Sequence, residues 1–131
     1  MKTRIIVSLL LVPSLVLAGG DSREVSLKSL FQTAENTYVL KYVEGGGVDV
    51  STLHLSYDAE RYSKYARFLT QERFDQAISL LNRQLASKQV VYLGSFGGGP
   101  CLVDKAKQVY RSDALDIYEG GRVVYVFCRY R

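Results

Sequence analysis

The feature that most narrows the fold is a pair of adjacent glycines, Gly120 and Gly121, set between two apolar runs in ALDIYEGGRVVYVFC. Both glycines tolerate the positive φ of a type I′ turn, so the segment reads as a tight β-hairpin with a determinate register. Counting outward from the turn pairs Glu119 with Arg122, Tyr118 with Val123, Ile117 with Val124, Asp116 with Tyr125 and Leu115 with Val126. Alternation then places Leu115, Ile117, Val124 and Val126 on one face, with Cys128 farther along it, and Asp116, Tyr118, Val123, Tyr125 and Phe127 on the other. The first face is the core candidate. The second is aromatic and only partly polar, which calls for a second layer or a contact surface over part of it. Burial of both faces would fit a central place in the sheet. Glu119 opposite Arg122 adds a cross-strand charge pair worth roughly 0.2–1 kcal/mol.

Cys128 needs a partner, and the N-terminus indicates which redox state to expect. A basic start through Lys2 and Arg4, an apolar run from Ile5 to Ala18 and then Gly19 and Gly20 have the form of a secretory leader. Residues 1–18 are expected to be a signal peptide cleaved after Ala18. The run is shorter than the roughly 20 residues of a membrane span, and Pro13 interrupts it, so an uncleaved anchor is the lesser alternative. An exported chain meets an oxidising compartment, and Cys101 and Cys128 are expected to form a disulfide there. The bond would close a loop of about 27 residues and contribute roughly 3–4 kcal/mol in the chain-entropy treatment. Free buried thiols are the alternative. The CxxC spacing of a redox pair and the ligand set of a zinc site are both missing, so no cofactor or metal is expected.

Without the leader about 113 residues remain, 19–131, which suits one ordinary domain and not two. The formal charge of +4 includes Lys2 and Arg4 and falls to about +2 without them, which gives no reason to expect nucleic acid as a partner.

Along the chain, Val25–Glu35 reads as a short helix, because Leu27, Leu30, Phe31 and Ala34 trace one helical side; a strand from Val25 to Leu27 followed by a turn is the alternative. Tyr38–Glu44 and Val48–Tyr57 read as a hairpin around Gly45–Gly47, with Leu53 and Leu55 facing away from Val50, Thr52 and His54. Asp58–Leu69 has helical spacing. Thr70–Ser87 is a stronger helix, capped by Thr70, with Phe74, Ile78, Leu81 and Leu85 on one side and Arg73, Gln76, Arg83 and Gln84 on the other. Val90–Phe96 reads as a strand ended by Gly97–Pro100, and Leu102–Tyr110 as a short helix. The expected fold is α+β: a single small domain with a twisted, mainly antiparallel sheet of about five strands, roughly two to four helices packed on it, and one disulfide.

No motif assigns a chemistry. His54, the sole histidine, could act as a general base with Ser95 as nucleophile, but Ser95 lacks the GxSxG surroundings of a nucleophile elbow. The glycine-rich run Gly94–Pro100 resembles an anion nest yet lacks the lysine and hydroxyl residue of a P-loop. Asp58 with Glu60, and Asp113 with Asp116, supply too few convergent oxygens for a metal. More distinctive are ten tyrosines with no tryptophan. Arg61, Tyr62 and Tyr65 lie together in sequence, as do Tyr118, Tyr125, Arg129 and Arg131, and tyrosine beside arginine suits a protein interface. The sequence therefore leads to an exported, non-enzymatic binding protein, periplasmic or secreted, that docks on or inhibits another envelope or secreted protein. The competing readings are an envelope assembly or structural accessory protein, a cell-wall or glycan-binding module, and a small hydrolase using His54.

Overall fold

The computed structural model describes residues 21–58, 68–95, 100–118 and 123–128. In chain order these form β1 (Asp21–Ala34), β2 (Thr37–Glu44), β3 (Val50–Ser56), α1 (Gln71–Ser87), β4 (Val91–Ser95), β5 (Cys101–Asp104), β6 (Val109–Ser112), β7 (Ala114–Tyr118) and β8 (Val123–Phe127). The strands make one eight-stranded sheet in the order β5-β6-β3-β2-β1-β4-β8-β7. Two of its pairings, β3 with β6 and β4 with β8, are parallel. The single α+β domain and its disulfide match the expectation. The mainly antiparallel sheet of about five strands does not, and neither do the two to four helices, since the described residues hold one helix and a mixed sheet.

Two segments account for the difference. Val25–Glu35, expected as a helix, forms most of β1 through Ala34 and the turn after it, pairing with β4 at its start and with β2 for most of its length. A register shift between Leu27 and Ser29 inserts a bulge, so Val25, Leu27 and Leu30 all reach the core at spacings of two and then three. That mixed spacing imitates one side of a helix. Leu102–Tyr110 is a hairpin, β5 to β6, whose turn is held by the Lys107 N–H donating to Asp104 Oδ1 at 3.1 Å and by a left-handed Gln108 at φ 55°. The helix expected over Asp58–Leu69 falls mostly on residues 59–67, outside the described residues, as does the Glu119–Arg122 pair.

The helix expected over Thr70–Ser87 and the terminal hairpin are present. α1 begins after Thr70, whose side chain accepts from the Arg73 N–H at 3.2 Å, and it carries Glu72 in its first turn. It ends at Lys88 in the left-handed conformation, with the Gln89 N–H returning to Gln84 O. Phe74, Ala77, Ile78 and Leu81 are its buried side. The terminal hairpin has the register counted from its glycines, Leu115 opposite Val126 through Tyr118 opposite Val123.

β6 and β7 are separated in the chain by Asp113 alone, yet they stand second and last in the sheet order. The sheet must therefore curl until its two ends meet, with β6 and β7 acting as one bent strand. Ser112, wholly buried, is at the bend. Its hydroxyl accepts from the Phe127 N–H at 3.1 Å and lies 2.8 Å from the Ala114 carbonyl as donor, while the Asp113 N–H donates to Phe127 O at 2.7 Å. Ser56 Oγ donates to the Ser112 carbonyl at 3.3 Å, bringing β3 to the same joint. The Cys101–Cys128 disulfide, with Cα atoms 5.6 Å apart, ties the edge strand β5 to the end of β8 across this seam.

The inner face of the curl holds the main core, where Leu40, Leu53, Leu55, Val91, Leu115, Val124 and Val126 meet α1. The outer face of β7 and β8 holds a second cluster of Ala114, Val123, Tyr125 and Phe127 under Leu69. Leu69 therefore covers part of the hairpin's aromatic face, for which a second layer or a contact surface was expected. Ser112→Ala leaves two backbone groups of the seam without their buried partner and is expected to lower unfolding stability by roughly 1–3 kcal/mol. Ser56→Ala, which removes one longer bond, should cost about 1 kcal/mol or less, with urea midpoints comparing the two.

Candidate functional site

The curl separates the residues that a hydrolase would need together. His54 is exposed on the outer face of β3, while Ser95 pairs with Val126 and faces inward from β4. A base on one face cannot take a proton from a hydroxyl on the other. Of the glycine-rich run, 96–99 lie outside the described residues, so the anion-nest reading lies there too. Glu60 is also outside them. Asp113 meets Arg111 Nε at 3.4 Å and Asp116 meets α1, so these two carboxylates serve different contacts. Among the described residues no three His, Cys, Asp or Glu side chains are grouped to hold a metal ion.

The tyrosine and arginine set is divided. Arg61, Tyr62, Tyr65, Arg129 and Arg131 lie outside the described residues. Tyr125 is 8% exposed, and its ring meets Tyr118 edge-on at 4.8 Å. Between them in the hairpin sits Asp116, 1% exposed, whose Oδ1 accepts from Arg73 Nη1 at 2.7 Å and from the Ile117 N–H at 2.9 Å. Burial, and then the neighbouring Asp116 carboxylate, push the Tyr118 hydroxyl above its ordinary pKa. This group fastens the first turn of α1 to β7. Phe68 adds an edge-on contact to Phe127 at 6.2 Å over the same face.

The outer face of β1–β3 and β6 is different. The ladder places Phe31, Val39, His54 and Arg111 side by side in one row across four strands. The next row is Ser29, Lys41, Thr52 and Val109, with Lys41 Nζ donating to Thr52 Oγ1 at 3.4 Å. Phe31 is 59% exposed and Val50, beyond this row on β3, 47%. Here an aromatic ring and a branched aliphatic side chain stand in water among basic and polar neighbours.

Inside the curl is a cavity of about 270 Å³. α1 occupies one end of the inner face, where Phe74 lies 6.1 Å from Tyr38 and 5.8 Å from Tyr57. The cavity lies toward the other end of β2, by Tyr42 and Glu44, roughly 13 Å farther along at the rise of an extended strand. Val25, Leu53, Leu93 and Val126 supply its apolar surface. Tyr42, Tyr110 and Ser95 also line it, and the Arg23–Glu44 ion pair, 3.1 Å between Nη1 and Oε1, stands at the exposed rim. Tyr42 is buried, and its hydroxyl is pushed up to about 12, first by burial and then by Glu44 and Tyr110, against a hydrogen bond with Ser51 that lowers it.

The sequence did not single out Phe31, Tyr42, Tyr110 or Arg23 as site residues. Phe31 was masked by the bulge that made β1 look helical. The alternation of Tyr38, Leu40 and Tyr42 on β2 marks one face and was available as a signal for Tyr42.

The raised Tyr42 pKa makes a testable claim about alkaline stability. The neutral phenol is favoured in the fold, so its contribution is fully present below pH 10 and is lost as pH rises from 10 toward about 12. In that window the wild type should lose about 1.4 kcal/mol per pH unit from this group, a slope that Tyr42→Phe removes when urea unfolding is followed against pH. Among the described residues, no helix is long and apolar enough to cross a membrane. No family model, curated protein or solved structure matches the chain.

Proposed function

We propose that the chain is a small exported binding protein that docks on, or inhibits, another envelope or secreted protein through the outer face of β1–β3. The observation that carries this reading is the exposure of Phe31, at 59%, in a cross-strand row with Val39, His54 and Arg111. The same sheet's outer face over β7 and β8 is covered by Leu69 and Phe68, so this fold does bury aromatic outer surface where its own chain supplies a cover. An aromatic anchor amid polar and basic side chains has the make-up of an interface centre and its rim. His54 then contributes as a polar contact on that face.

The test is capture from secreted and envelope fractions at low and moderate salt, with oxidised wild type beside Phe31→Asp. A specific partner should be retained by wild type and weakened at least about tenfold by the substitution, as expected for an aromatic anchor. Phe31 is exposed, so the variant should keep the wild-type unfolding midpoint. Recovery of no specific protein, or equal recovery by both forms, would overturn the reading. Retention on purified wall polymer that fades with salt would favour the polymer-binding alternative.

A further inference from the structure

The geometry points to the cavity inside the curl as a binding site for a small, uncharged ligand with a compact apolar body and one hydroxyl group, separate from the outer face that carries the protein-docking reading. Size sets the first bound. At about 270 Å³ the cavity stands near the lower end of the roughly 300–1,000 Å³ typical of ligand pockets, which favours a small ligand. A single water-sized ion would leave most of the space unfilled.

The walls set the chemistry. Val25, Leu53 and Val126 are buried and Leu93 half-buried, so the body of the ligand meets branched aliphatic carbon. Polar recognition is assigned to the hydroxyl-bearing side chains among the lining residues, Tyr42 of β2, Tyr110 of β6 and Ser95 of β4. A phenol held neutral to about pH 12 is at once donor and acceptor at neutral pH, and presents no charge to a ligand. Among the described lining residues the charged groups are Arg23 and Glu44, in mutual contact at the rim, so they offer no net charge to an entering ion. Neither sign of charge is favoured, and both would lose hydration among the aliphatic walls. A simple substituted phenol or a branched alcohol fulfils all three demands.

4-Methylphenol, with eight non-hydrogen atoms, is a suitable probe. Methyl-resolved NMR of the oxidised full chain at pH 7 should show saturable shifts centred on Val25, Leu53, Leu93 and Val126, with a dissociation constant on the order of 1 mM or tighter. The charged analogues 4-hydroxybenzoate and tyramine should bind at least about tenfold more weakly. Leu93→Trp, which places a large side chain at a half-buried wall position, should abolish the shifts. Tyr110→Phe removes only a hydroxyl and should weaken binding about three- to tenfold with the methyl dispersion of the folded protein retained. The assignment is overturned by the absence of saturable shifts up to about 20 mM, by shifts centred on other methyls, by equal binding of the charged analogues, or by unchanged binding in a folded Leu93→Trp protein.

Discussion

The curl of the sheet depends on one buried joint, where the Ser112 hydroxyl and the Asp113 amide receive the end of β8 at the bend between β6 and β7. A chain turning through one residue between two strands exposes backbone groups that a straight ladder would pair. Here the serine hydroxyl accepts from the Phe127 N–H and donates to the Ala114 carbonyl, the Asp113 N–H donates to the Phe127 carbonyl, and Ser56 brings β3 into the same knot. The joint also carries the chain from β6, the second strand in the sheet order, directly into β7, the last. β5 alone extends past the closure, and it is the strand that the disulfide holds.

Closure gives the two faces different tasks. The inner face is a concave wall that one helix only partly fills, which is why a cavity persists beside Tyr42 while Phe74 packs tightly near Tyr38. The outer face is covered over β7 and β8 and exposed around Phe31. Arg73 and Asp116 hold these arrangements in relation to each other, since the ion pair fixes where α1 begins and therefore how much of the interior it occupies. Removing Arg73 would leave the buried Asp116 carboxylate without its ion-pair partner, which is the costly way to break such a pair, whereas Arg73 itself is 45% exposed.

The parts of this design that were legible in the sequence are those set by local chemistry. Gly120 and Gly121 determined the register of β7 and β8, Thr70 and the Phe74–Ile78–Leu81 spacing determined α1, and the two cysteines indicated their own bond. The misreadings have local causes as well. A bulge after Leu27 turned strand alternation into a helical spacing, and an Asp104 turn brought Leu102 and Tyr110 into a pattern that resembled a single helical side. The parallel pairings were not legible, because neighbour choice in a sheet is decided by the whole closed arrangement and not by any segment. The cavity follows from that closure and inherits its invisibility: Arg23, Tyr42, Ser95 and Tyr110 come from four strands and share no motif.

Those parallel pairings also order events in time. Ser51 donates to Gln108 across 57 positions of sequence, and β4, already paired with β1, gains its second neighbour only when β8, the last strand, is present. Contacts of such long range lose chain entropy before they return stabilising interactions, so the folding barrier is dominated by closing large loops. β1–β3 can form an early meander, but β3 lacks its outer neighbour until β6 arrives. The sheet closes only after β8 has docked, and Cys128 follows β8. The disulfide is thus placed to lock a completed closure rather than to guide its assembly, and a chain of this topology gains little by folding before all of it is available.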